Sequence, residues 1–297
     1  MDILEEFRLV LVGKTGAGKS SSGNTILGRD AFGAAVSQSS VTARCCKQRG
    51  EVFGREVTII DTPGLFDTSL SDHIVKREIS KCINMSAPGP HAILLVIKMG
   101  PFTQEERDAV QKVEEIFGEE AWRYTIILFT QDGETGPDIQ RELDEAGPEL
   151  KEILQKVENR FHVFNNSQAD DRGQVLDLLE KVENMMAVNG EEFYSNFTYL
   201  QVVEMLERRE SELTEFYEKK MQEKIKAVEL KYKKLMEAQK EQSGMKRRCQ
   251  SEVQEVQRFF KALKRDARAV VEQTVDTDSM EDVHNYHLTL KLKFTSS

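Results

Sequence analysis

Apolar runs punctuate the first 190 residues: FRLVLV (7–12), EVTIID (56–61), HAILLVIKM (91–99), YTIILFT (124–130) and FHVFN (161–165). They are apolar almost throughout instead of alternating, which is the pattern of strands covered on both faces. Between them, apolar residues recur at helical spacing over 19–27, about 72–85, 103–117, 138–158 and 171–188. Such alternation predicts an α/β fold with a mostly parallel sheet and right-handed crossovers. ARCCKQRGEVFGREVTIID (43–61) differs, because two strand-like runs flank a glycine-containing connection. That reads as a hairpin, which puts one antiparallel strand at a sheet edge.

Beyond Asn189-Gly190 the pattern changes. Leu213, Tyr217, Met221, Ile225, Val228, Tyr232 and Leu235 recur at spacings of three, four or so. After the polar stretch EAQKEQSG the stripe resumes at Met245, Cys249, Val253, Val256, Phe260, Leu263, Ala267 and Val270. Two helical segments with one apolar face are predicted, hinged at Ser243-Gly244. They can fold back as a hairpin on the preceding body or join an intermolecular coiled coil. Bulky Tyr217, Tyr232 and Phe260 suit a strict dimeric seam poorly, which favours packing on the body. The expected organisation is an α/β domain over 1–190, a helical extension over 191–272 and an unassigned tail over 273–297. Within that tail HLTLKLKF (287–294) alternates like an edge strand.

With 297 residues and 39% hydrophobic content, the chain can bury a sizeable core. Its net charge of −10 argues against nucleic acid as a partner. Lys and Arg slightly outnumber Asp and Glu between Thr198 and Glu272, so the N-terminal body carries more than the whole excess of acid. Cys45, Cys46, Cys82 and Cys249 form no C-x-x-C pair and read as reduced thiols. The opening MDILEEF is acidic and unlike a targeting peptide. No run approaches the roughly 18 apolar residues of a membrane span. A cytoplasmic protein is expected, without a transmembrane anchor, and compatible with peripheral contact at an intracellular membrane. Lys246-Arg247-Arg248 is a basic cluster that reads as a solvated helix face, with anionic lipid or a partner as the other option.

The chemistry lies between the first strand and the first helix. Gly13, Lys14, Thr15, Gly16, Ala17, Gly18, Lys19 and Ser20 match G-x-x-x-x-G-K-[ST], the phosphate-binding loop. Glycines let successive N–H groups turn inward onto phosphate oxygens, and the helix that follows adds its positive end. Lys19 is placed to reach the terminal phosphates, and the Ser20 hydroxyl to ligate Mg2+. Some 45 residues on, Asp61-Thr62-Pro63-Gly64 ends a strand. There Asp61 can hold Mg2+ through water, and the Gly64 N–H can sense a terminal phosphate. The pairing points to a nucleoside triphosphate. His91 reads as a structural histidine of a buried strand and Trp122 as core. No histidine pairs with a nucleophile, so hydrolase triads are unsupported.

GKTGAGKSSSGNTILG, SSVTARC (39–45), DTPGLFDT (61–68), HAILLVIKMGPFTQEER (91–107), FHVFNN (161–166) and DRGQVLDLLEKVENM (171–185) together resemble the GIMAP family, the GTPases of immunity-associated proteins. The resemblance spans roughly residues 5 to 190. It implies a Ras-like, septin- and Toc-like G domain that binds GTP or GDP with Mg2+. By position it implies that Thr42 is the switch threonine meeting Mg2+ and the γ-phosphate, with Lys19 and Gly64 as the other catalytic positions. Ser21 would join the phosphate contacts. Thr130, Gln131 and Glu134 would flank the base, with Asp132 as a rival carboxylate. Asn166 would contact guanine, with Asn165 the alternative.

The resemblance also implies GTP-dependent homodimers or homo-oligomers, or assembly with other GIMAP-type chains. Two departures bear on turnover. Leu65 and Phe66 follow Asp61-Thr-Pro-Gly64 where a water-orienting glutamine stands in Ras-like sites, and Pro101 stands where some GIMAP proteins carry an arginine. Arg107 is a weak substitute farther along. The expectation is a guanine-nucleotide switch with slow or partner-assisted hydrolysis. The alternative is a helical coiled-coil scaffold around a structural nucleotide.

Overall fold

The computed structural model describes residues 6–33, 44–63, 72–131, 139–144, 147–190, 193–238 and 242–294. Its chain divides into two compact units, residues 1–202 and 203–297.

The first unit is built on a six-stranded sheet. Its strands are β1 (Glu6–Val12), β2 (Cys46–Val52), β3 (Arg55–Asp61), β4 (Ala92–Lys98), β5 (Thr125–Gln131) and β6 (Phe161–Asn165), in the spatial order β2-β3-β1-β4-β5-β6. All neighbours are parallel except β2 and β3, which pair antiparallel from Cys46 opposite Asp61 to Val52 opposite Arg55. The turn between them is Phe53-Gly54, with φ of +51° and +78°. Two positive φ values in a two-residue hairpin match the right-handed twist of the flanking strands.

Helices α1 (Lys19–Leu27), α2 (Asp72–Ser86), α3 (Gln104–Phe117), α4 (Ile139–Asp144), α5 (Pro148–Lys156) and α6 (Gly173–Val188) complete this unit. Alternate residues of each strand feed two separate cores. Leu9, Leu11, Ile59, Leu94 and Leu128 pack with Ile26 of α1 and with Val175, Leu178 and Val182 of α6. Val10, Val12, Ile60, Leu95 and Phe129 pack on the other side with Val113 and Phe117 of α3 and Ile153 of α5. That double burial is why the strands read as unbroken apolar runs.

The single helix expected over 138–158 is two helices. Pro148 opens α5, and Gly147 before it is extended at ψ 163°. A proline has no N–H to continue the preceding helix and biases its neighbour away from helical angles. A short 3-10 segment, Glu119–Tyr124, leads into β5 and was not foreseen. Tyr194 and Tyr199 join the core beside α3. Tyr199 shares a 2.8 Å hydrogen bond with Ser86 Oγ.

The second unit is helical. Its elements are α7 (Phe197–Ala238, which begins in the first unit), α8 (Gln242–Arg265), α9 (Ala267–Val271) and α10 (Met280–Phe294). Helices α7 and α8 run antiparallel, tied by Lys264 to Glu218 at 2.6 Å and Lys231 to Glu252 at 3.0 Å. Ser243-Gly244 is not the hinge between them. Both residues lie inside α8, because the ladder runs on through an exposed glycine. The tail is not a strand either. HLTLKLKF belongs to α10, whose start is marked by Ser279 accepting the Asp282 N–H at 3.2 Å. Val283, His284 and His287 recur at helical spacing and are buried, and that longer period overrides the short alternation. Tyr217 seats in this bundle fully buried, donating or accepting at His287 Nδ1 over 2.8 Å.

Candidate functional site

The end of β1 runs straight into the phosphate loop, and two glycines make the turn feasible. Gly13 has φ +150°, and a Cβ there would lie 2.4 Å from the Val96 carbonyl oxygen. Gly18, at φ +94°, is the residue before α1, and its missing side chain would meet Thr130 Cγ2 at 3.2 Å. Larger residues at either position would strain the backbone and push the loop off the sheet.

Lys19 is 5% exposed and folds back over the loop, donating to the Gly13 carbonyl at 2.9 Å and the Lys14 carbonyl at 2.8 Å. Burial lowers its pKa to about 8, against the pull of the Asp61 charge. Ser20 Oγ donates to Asp61 Oδ2 at 2.6 Å, joining the start of α1 to the end of β3. Burial raises the Asp61 pKa, opposed by the Ser20 hydroxyl and by Lys19. Asp61 Oδ1 is buried without a hydrogen-bond partner among the described residues. A hydroxyl and a carboxylate, one oxygen of which lacks a partner among the described residues, form a donor set that fits Mg2+ and its water shell. Thr62 Oγ1 donates to the Leu11 carbonyl at 2.7 Å, which fixes the strand end carrying Asp61.

On the far side of the loop, Thr130 Oγ1 donates to the Ala17 carbonyl at 2.7 Å. Thr130 therefore braces the loop from the end of β5. Gln131 is the last residue of that strand and is partly exposed. Asn166 accepts from Thr25 Oγ1 at 2.8 Å and donates to Ser22 Oγ at 3.2 Å, so it lies against α1. The Asn165 side chain accepts the Ser167 N–H at 3.0 Å. Lys14, Thr15, Gly16 and Ser21 occupy the loop and the first turn of α1, with Thr15 and Gly16 exposed. Thr42, Gly64, Asp132 and Glu134 lie outside the described residues, as do Leu65 and Phe66.

Several supporting residues were not singled out from the sequence. Lys14 Nζ lies 3.2 Å from Glu106 Oε1 and 3.4 Å from Thr103 Oγ1. Thr103 and Glu106 form the capping box of α3, a T-x-x-E pattern legible in TQEE. Arg172 reaches the Thr25 and Ile26 carbonyls at the last turn of α1, where a cation complements the helix dipole. His91 is structural, as expected. Its Nδ1 accepts the Arg8 N–H at 2.9 Å, and burial with Arg8 beside it lowers its pKa to about 4. Trp122 is core and donates to Glu114 at 2.7 Å. No helix among the described residues is long and apolar enough to cross a membrane.

A mostly parallel sheet with a phosphate loop after β1, and a serine–aspartate pair joining α1 to β3, defines a P-loop nucleotide-binding protein of the GTPase class. The AIG1 family profile matches residues 7–214, and the chain belongs to that family. It is 38% identical over 197 residues to human GTPase IMAP family member 8, covering 65% of this chain but only 30% of that protein. Immune-associated nucleotide-binding protein 7 of Arabidopsis thaliana is 31% identical over 268 residues, covering 83% of this chain and 84% of that one. Among solved structures, a dimerization-deficient mutant of Toc33 from Arabidopsis thaliana superposes with a TM-score of 0.52 at 18% identity, covering 66% of this chain and 89% of that one. The resemblance to GIMAP proteins and the Ras-like fold class expected from the sequence thus hold.

Proposed function

We propose that the chain is a guanine-nucleotide-dependent switch that binds GTP or GDP with Mg2+, self-associates in the triphosphate state and turns over slowly. The observation that carries this reading is the 2.6 Å bond from Ser20 to Asp61 beside an Asp61 oxygen without a partner among the described residues. Bound Mg2+ and triphosphate would supply a cation bridging Ser20 to phosphate oxygens and a charge for the loop N–H groups to hold. Lys19 then exchanges two loop carbonyls for phosphate oxygen. Asn166 keeps a second amide N–H available beyond its bond to Ser22, and can offer it to the base. Glu134, or its rival Asp132, supplies the carboxylate that selects guanine over adenine, and Thr42 and Gly64 report the terminal phosphate. Slow turnover follows from Pro101, Leu65 and Phe66, none of which can cancel charge or orient water.

The test is titration calorimetry with GTP, GDP, ATP and GTPγS, with light scattering of each complex. Tight guanine binding with dimers only in GTPγS supports the switch, and Ser20→Asn should abolish both. Equal affinity for ATP overturns guanine selection. An assembly that survives Ser20→Asn moves the function to the helices and leaves the nucleotide structural.

A further inference from the structure

Outside the phosphate loop, the surface of the helical unit carries an open cavity of about 540 Å3 lined by α7, α8 and α10. That volume lies within the ordinary range for small-ligand sites. Its walls are divided by chemistry. Val256, Phe259, Phe260 and Leu288 supply an apolar slot from α8 and α10. Lys220 and Lys224, one turn apart on α7, line it as well. Phe259 is 45% exposed, an unusual state for a large aromatic in a bundle whose neighbouring Phe260 is 4% exposed.

The charges narrow the occupant. Lys220 is already committed, bonded to Glu281 at 2.9 Å and held 4.9 Å over the Phe216 ring. Lys224 is exposed and has no ion pair or hydrogen bond among the described residues. Glu255, also on the rim, adds a negative charge that disfavours a polyanion. One uncommitted cation beside an apolar slot suits a single negative charge on a hydrocarbon chain. His284 in the wall agrees with an incompletely satisfied site, since it is buried and its Nδ1 lacks a partner among the described residues.

We propose that this cavity is a binding site for a medium- or long-chain carboxylate, with the acyl chain along Val256, Phe259 and Leu288 and the carboxylate on Lys224. The site is independent of the nucleotide reading, because every residue in it belongs to the second unit. The apolar aromatic and aliphatic side chains cover one side of the acyl chain, and the rim lysine remains solvated, where it can accept an anion without the cost of full burial.

The test is calorimetric titration of the full chain with dodecanoate below its micellar concentration, with dodecanol and dodecyl phosphate in parallel arms. Saturable binding of one dodecanoate per chain is expected, with Lys224→Gln weakening it about tenfold while dodecanol is unaffected. Val256→Trp and Leu288→Trp, each checked for unchanged helicity, fill the slot and should abolish binding. Absence of saturable dodecanoate binding overturns the proposal, as does equal loss of acid and alcohol in Lys224→Gln. Retained affinity in both tryptophan variants, or a preference for dodecyl phosphate, overturns it too. Binding to vesicles of phosphatidylserine in phosphatidylcholine without uptake of dodecanoate would assign the rim to a membrane surface and sink the soluble site.

Discussion

Lys14, on the phosphate loop, is held 3.2 Å from Glu106, a carboxylate only 2% exposed at the first turn of α3. Glu106 Oε2 also accepts the Thr103 N–H at 2.7 Å and the Thr103 hydroxyl at 2.8 Å. The loop and the segment after β4 are thus joined through one side chain. Glu106→Ala removes the reciprocal cap and leaves Lys14 without its nearest anion. We expect a loss of about 2 kcal/mol in urea denaturation, whereas Glu106→Gln, which keeps the cap, should lose about half of that. Unchanged stability in Glu106→Gln would show that the charge contributes nothing, and equal losses in the two variants that the neutral cap does not.

Thr130 braces the loop from β5 through the 2.7 Å bond to the Ala17 carbonyl. Thr130→Val keeps the shape and removes the donor. Stability should fall by about 1 kcal/mol, and nucleotide affinity severalfold, because the loop loses its fixed distance from the sheet. Unchanged affinity in titration calorimetry would separate Thr130 from the site.

Two buried histidines predict acid sensitivity. Burial, with Arg8 beside one and Lys181 beside the other, lowers His91 and His162 from 6.5 to about 4. Their folded pKa lies below the unfolded value, so the unfolded chain binds more protons between pH 6.5 and 4. Stability is complete above pH 6.5 and falls as pH drops through that window, by up to about 1.4 kcal/mol per unit for each ring. His91→Gln should flatten the slope of stability against pH. A slope unchanged in that variant would assign the acid sensitivity elsewhere.

In the helical unit, Tyr217 is fully buried against Phe260 and His284 and hydrogen-bonded to His287 at 2.8 Å. Tyr217→Phe should cost about 1 kcal/mol through the lost hydrogen bond to His287, and Tyr217→Ala about 3–5 kcal/mol through the cavity it leaves. Thermal melts of the two variants give the comparison. Equal costs would mean that the ring itself packs against little.

The sequence by itself determined the sheet, the loop and the family. Short continuous apolar runs, rich in Ile and Val and separated by helical patterns, fit strands buried on both faces, and the spacing of Gly13, Gly18, Lys19 and Ser20 is local chemistry that needs no partner to be recognised. It determined less where competing local patterns overlapped. Pro148 broke a helix that apolar periodicity alone extends, and α10 took a segment whose eight-residue alternation resembles a strand. Only the tertiary structure decided the contacts between residues far apart in the chain. Ser20 meets Asp61 because β1 and β3 are neighbours, and Thr130 reaches Ala17 because β5 ends beside the loop. Such pairings depend on strand order and register, which a periodicity carries no record of. The same reason hid Lys14 and Glu106, whose separate signals were legible while their meeting was not.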